Sequence, residues 1–324
     1  MNPIEFEKII LQQLESKENM KKYLGRSFSK ETQGVLNEFG DAIDTFVEIG
    51  MRGLLRYKNN NSITEITSPL PATFMHFLNT LDSIGVVARN GNTSGVKTLF
   101  RTLFEASLNL QYLAKESDQK GVIAYRVGHL KNELKKYKLY DNNTIPGREF
   151  IASLTEELGE EPGLENISYQ KLTENIRKKL KENWMQPVVK EYEKCVKQNG
   201  LNINWYSLYG GPKNLKALAK ELKVLSIYSF LYADLSKHQH ASDSLTSLIY
   251  KENGIHLPGI RQLDGLQMTL ALIVQIVHGT YQILSKKLKE EEHRTYMYLG
   301  DSILKEKMHF LEGEEIINSE LHSI

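Results

Sequence analysis

The stretch YSFLYADLSKHQHASD, residues 228–243, carries two tyrosines and two histidines with a serine at 236, all within little more than three helical turns. Read as a helix, Tyr228, Tyr232, Ser236 and His240 recur every four residues and share one slowly drifting face. An imidazole titrates near neutrality, so beside two phenols and a hydroxyl it can give or take a proton. The same pattern also suits tyrosines packed in a core and histidines at a helix C-terminus, where the helix dipole favours positive charge. Both readings stay open. His238 points elsewhere, and His238-x-His240 with Asp234 makes no shared metal set, because alternate helical residues diverge by about 160°. No metal and no cofactor is expected.

A second pair lies upstream in VKTLFRTLFEASLNLQYLAKE, residues 96–116. At about 100° per residue, Val96, Leu99, Leu103, Ala106 and Leu110 cover one side, while Phe104, Leu108 and Tyr112 cover nearly the opposite one. A helix apolar on two sides is buried between neighbours. Arg101 and Glu105, at i and i+4, fall inside the second apolar face. On a surface such a pair contributes only about 0.3–0.5 kcal/mol. Buried, each ion costs several kcal/mol to desolvate, so the pair needs a structural or functional reason. It ties two helices together or, if a pocket opens beside it, holds a phosphate or carboxylate with Arg101.

The other signals are weaker. RNGNTSGVK, residues 89–97, precedes a helix but lacks the spacing of a phosphate-binding loop, so it reads as a loop with a helix cap. Lys135, Lys136 and Lys138, and Arg177, Lys178 and Lys179, read as solvated helix faces. Cys195, the only cysteine, excludes an internal disulfide and sits in what reads as an exposed, charged helix rather than a nucleophile's niche. With 41 Lys+Arg against 40 Asp+Glu, no global field draws the chain to nucleic acid or a membrane, leaving only a local patch for an anion.

Helical periodicity dominates, and no convincing strand alternation is found, so the expected fold is an all-α multi-helix bundle. The predicted helices cover 3–21, 29–57 with Val35, Phe39, Ile43, Phe46, Ile49 and Leu54 inward, one from residue 71 with Phe74, Phe77, Leu78, Leu81 and Ile84, and 96–116. Later ones begin at 212, include the opening stretch, and run from 262 to 292 with Leu266, Leu270, Val274, Val277, Tyr281 and Leu284 inward. Residues 1–116 form N-terminal helices, 117–200 a charged helical insertion, and 201–324 the helices completing one bundle. The N-terminus reads as neither signal nor transit peptide. The apolar run MTLALIVQIV at 268–277 spans about half the roughly 20 residues a bilayer requires. A cytoplasmic protein is expected, with no membrane partner.

RTLFEASLNLQYL (101–113) followed by WYSLYGGPKNLKALAKELKVLSIYSFLYADLSKHQH (205–240) resembles a bacterial helical family known as domain of unknown function 5677. The resemblance covers about residues 70–250. Position by position the matches are Arg101, Glu105, Trp205, Tyr228, Tyr232, Ser236 and His240, or His238 in its place, and the resemblance implies that the arginine–glutamate helix and the serine–histidine helix meet around one polar cluster. It supplies no reaction. More remotely, arginine and histidine in a helical bundle are similar to HEPN-type ribonucleases, many of them toxins or antiphage effectors. Those enzymes carry both residues on one helix four to six positions apart, whereas Arg126-x-x-His129 is closer.

The leading expectation is a metal-independent ribonuclease-like effector. His240, Arg101 and Glu105 are its catalytic candidates, and Tyr228, Tyr232, Ser236, Trp205 and His238 its substrate contacts. The rival is a non-catalytic ligand-sensing or protein-interaction module built on the same buried cluster. Expected partners are RNA or a nucleotide, and a second copy of the chain or another protein. Whether the ligand is turned over stays open.

Overall fold

The computed structural model describes residues 24–115, 119–160, 169–200, 203–231, 248–251, 254–256, 260–294 and 300–302. The fold is all-α. In chain order the elements are α1 (Lys30–Asn60), α2 (Pro69–Arg89), α3 (Thr93–Lys115), α4 (Lys120–Leu139), α5 (Ile145–Leu158), α6 (Tyr169–Leu180), α7 (Gln186–Asn199), a 3-10 turn (Trp205–Gly210), α8 (Leu215–Glu221), β1 (Ile249–Lys251), β2 (Gly254–His256) and α9 (Leu266–Ser285). The two strands pair antiparallel with Ile249 opposite His256, and at three residues each they are too short to show alternation in the sequence. Two compact units form: unit 1 from the described parts of Met1–Ser62, Pro71–Gln111 and Val224–Ile324, and unit 2 from those of Ile63–Leu70 and Tyr112–Lys223.

Unit 1 is built on apolar stripes. Ser29 caps α1, its hydroxyl accepting from the Thr32 amide at 3.0 Å, which satisfies one of the first-turn donors. Leu36, Phe39, Ile43, Phe46, Ile49 and Leu54 then form its buried side, with Leu36 in place of the expected Val35. All five apolar residues expected to point inward on α2 are buried, as are both apolar sides of α3, where Phe100 rather than Leu99 completes the first side. Gly50 admits close approach: a Cβ there would collide with Leu78 and the Tyr281 hydroxyl. That hydroxyl donates to the Phe46 carbonyl at 2.7 Å, and the Tyr281 ring meets Phe74 edge-on at 5.8 Å.

The last long helix is shorter than expected. Instead of running over 262–292, α9 begins after Gly265, whose φ of 68° suits glycine, and ends at Ser285. Leu266, Leu270, Val277 and Tyr281 are buried as expected, while Thr269, Ile273, Thr280 and Ser285 share the buried face with them. By length and composition this helix could span a bilayer, since the continuous apolar helix extends beyond the MTLALIVQIV run. Its buried side chains pack within unit 1.

Unit 2 has its own core of Ala124, Val127, Leu130, Leu180, Met185, Val188, Val189, Tyr192, Cys195 and Leu208. Cys195 is therefore buried, not exposed as the charged surroundings suggest: its face of α7 turns inward while Lys194 and Lys197 turn out. Burial, followed by nearby Glu191, pushes its thiol pKa up, which suppresses the thiolate. Glu65 joins two helices, accepting from Arg126 of α4 at 2.7 Å and from Lys179 of α6 at 2.9 Å. The Lys179 hydrogen bond, with the charge of Arg126 beside it, lowers the Glu65 pKa.

Candidate functional site

Helix α3 sets Arg101 and Glu105 one turn apart, and the Arg101 Nε donates to Glu105 Oε1 at 3.1 Å. Their side chains are 13% and 38% exposed, whereas Arg52 and Glu48, also four apart, are 72% and 71% exposed at 3.9 Å. The second pair is an ordinary solvated contact. The first places an arginine side chain largely out of water, where its charge calls for a partner. One turn on, Asn109 donates to the Glu105 backbone carbonyl at 2.8 Å, so 101, 105 and 109 form a polar strip along the helix. On another side of α3, buried Ser107 and Thr280 share a hydrogen bond of 2.7 Å, and Gln111 donates to Ser107 at 3.0 Å.

Arg101 and Glu105 are thus brought together in unit 1. Tyr228 lies in a helical stretch at 225–231, half-buried, also in unit 1. Tyr232, Ser236, His238 and His240 lie outside the described residues. Trp205 belongs to unit 2. The Arg126-x-x-His129 pair is engaged differently: Arg126 bonds Glu65 and Ser68, while His129 is exposed. Lys135, Lys136, Lys138, Arg177 and Lys178 are exposed, and Lys179 is taken up by Glu65. Among the described residues, no group of three or more His, Cys, Asp or Glu side chains could hold a metal ion.

The surroundings of Trp205 were not foreseen. Its ring meets Tyr125 at 5.2 Å, Tyr112 at 5.6 Å and Tyr206 at 5.6 Å, each edge-to-face. Such pairs add about 0.5–1.5 kcal/mol beyond the area they bury. The signal was present in WYSLYGGP, where three aromatics precede a Gly-Gly-Pro turn, but its partners at 112 and 125 are remote in sequence. Gly211 lets the turn close, since a Cβ there would strike the Tyr206 carbonyl.

Residues 68–256 match the model of a family of unknown function, DUF5677. The chain belongs to this family. The DUF5677 segment holds α3 with Arg101 and Glu105, the Trp205 turn, Tyr228, and positions 232, 236, 238 and 240. No curated protein and no solved structure matches the chain.

Proposed function

We propose that this DUF5677 member is a metal-independent ribonuclease-like effector, acting in the cytoplasm as a toxin or antiphage factor, with its centre in unit 1. One observation carries the reading: the Arg101 side chain is only 13% exposed and its guanidinium is oriented through Nε by Glu105. A planar fork fixed in this way suits a phosphate oxygen better than a mobile ammonium does. His240 removes the proton from a 2′-hydroxyl, whose oxygen attacks the adjacent phosphorus as the 5′-oxygen leaves and is protonated. Arg101 stabilises the charge that builds on the phosphorane, and Glu105 holds Arg101. Tyr228, Tyr232, Ser236 and His238 are assigned to positioning the strand. The kinship to HEPN-type ribonucleases is part of this proposal and would be one of mechanism, with arginine and histidine supplied by different helices.

The test is cleavage of a labelled single-stranded RNA by the full chain in the presence of a chelator. Cleavage leaving 2′,3′-cyclic phosphate ends is expected, and His240→Ala and Arg101→Ala should each abolish it with circular dichroism unchanged. Undiminished cleavage by either folded variant discards the mechanism.

A second reading is favoured by the Ser107–Thr280 hydrogen bond with Gln111 attached, a polar contact that fixes helix register. Here the chain is a non-catalytic ligand-sensing or assembly module, and the Arg101–Glu105 pair is a second structural contact. It is recognised by no turnover in wild type, a lower melting temperature for Arg101→Ala, and stabilisation by an added nucleotide or protein partner.

A further inference from the structure

Of the described lysines most are exposed, and three are partly buried: Lys97, Lys131 and Lys179. Lys131 is paired with Glu193 at 3.0 Å and Lys179 with Glu65 at 2.9 Å. Lys97 takes part in no ion pair and no hydrogen bond among the described residues. Its ammonium stands 3.8 Å from the point where a Gly265 side chain would begin, so it faces backbone that carries no side chain. Asp264 adjoins that glycine and is exposed, yet it makes no ion pair with Lys97. An ammonium held partly out of water without a carboxylate costs free energy that an incoming anion recovers.

The same lysine shares a helix face with Arg101, within unit 1. Positions 97, 101, 105 and 109 of α3 recur every four residues, all four are partly open to solvent, and all four are polar: Lys97, Arg101, Glu105 and Asn109. Glu105 is taken up by Arg101, so the strip presents positive charge at its N-terminal end. We propose that Lys97 binds the RNA phosphate next to the scissile one, which makes the substrate a strand longer than a dinucleotide. This deepens the ribonuclease reading and rests on it. Lysine is a mobile point charge and fits a phosphate that is held without reacting, whereas the planar arginine fits the one whose charge changes. Four helical positions advance about 6 Å along the axis, which separates the two cations enough to address different phosphates of one backbone.

The experiment gives the full chain two substrates in the presence of a chelator: a labelled single-stranded oligoribonucleotide, and a dinucleoside monophosphate, whose one phosphate is the scissile one. Lys97→Ala should lower kcat/KM on the oligonucleotide about tenfold, through KM rather than kcat, and leave the dinucleoside monophosphate unchanged. The fall of log kcat/KM with log salt should be shallower by about 0.7 in the variant, the loss of one phosphate contact to a single strand. Lys97→Arg should restore both, and the melting temperature of Lys97→Ala should be kept or raised. Where the dinucleoside monophosphate is cut too slowly to measure, the salt slope alone decides. Equal loss on both substrates, or an unchanged salt slope, overturns the proposal and leaves the ribonuclease reading standing. A wild type that cleaves neither substrate overturns that reading, and this proposal with it.

Discussion

Among the described residues, units 1 and 2 each hold a three-membered ion cluster that joins helices, and the two are built in opposite senses. In unit 1 a cation serves two carboxylates: Arg89, at the end of α2, donates to Asp41 at 2.7 Å and pairs with Asp44, both on α1. Those contacts, Asp44 first, raise the guanidinium pKa above its ordinary value. In unit 2 a carboxylate serves two cations, Glu65 between Arg126 and Lys179. Arginine keeps its charge at any accessible pH, whereas a carboxylate is lost in acid. Acid therefore weakens both clusters through their carboxylates, and the difference between them lies in which partner is shared, the cation in unit 1 and the carboxylate in unit 2. Their interiors differ in a matching way: aliphatic and phenylalanine stripes with close glycine contacts in one, a smaller core beside tyrosines and tryptophan in the other.

The contrast is breakable, and the two tryptophans, Trp184 and Trp205, both lie in unit 2, so their fluorescence reports that unit alone. The largest effect is expected from Phe46→Ala, which empties a site 1% exposed in unit 1 and should cost roughly 3–5 kcal/mol. Thermal loss of circular dichroism should shift down further than the fluorescence transition; equal shifts would erase the distinction. Next comes Met185→Ala in the unit 2 core, expected near the lower end of about 2–5 kcal/mol because flexible Met sites repack readily. Its fluorescence midpoint should move more than its dichroism midpoint.

The smallest effect belongs to Glu65→Gln, for a pair half open to water and so contributing under about 1 kcal/mol. Its folded-state pKa is depressed below 4.5, so its stabilisation is present above the unfolded value and is lost as pH falls through the folded one. The acid limb of the fluorescence melting profile, below about pH 4.5, should therefore be flatter in Glu65→Gln than in wild type. An identical limb would assign the acid sensitivity to other groups.

How legible each region was follows from the same physics. Period-3.6 patterning reports which side of a helix is buried, so α1, α2 and the two-sided burial of α3 were readable before any coordinates. It does not report where a helix stops when the stop is a turn without proline or glycine, as after Ser285, so α9 is shorter than its apolar pattern suggests. Residues 117–200 look like surface because charge outweighs apolar content, yet one inward residue per turn of α7, Val188, Tyr192 and Cys195, belongs to the core of unit 2. Of the site, the Arg101–Glu105 contact was legible because i, i+4 spacing on a buried face leaves little alternative. The enclosure of Trp205 was not, since Tyr112 and Tyr125 come from separate helices more than 75 residues away.

In the proposed ribonuclease centre the Arg101 fork, held by Glu105, meets a phosphate. Arg101→Lys tests it most directly, because lysine keeps the charge and much of the stem but loses the planar donor pair. Measured for RNA cleavage and for melting temperature in parallel, it should lose cleavage at least a hundredfold, about 2.7 kcal/mol of transition-state stabilisation, while the melting temperature stays within a degree or two. A variant that cleaves like wild type, or one whose melting temperature collapses while wild type turns over no RNA, contradicts the account.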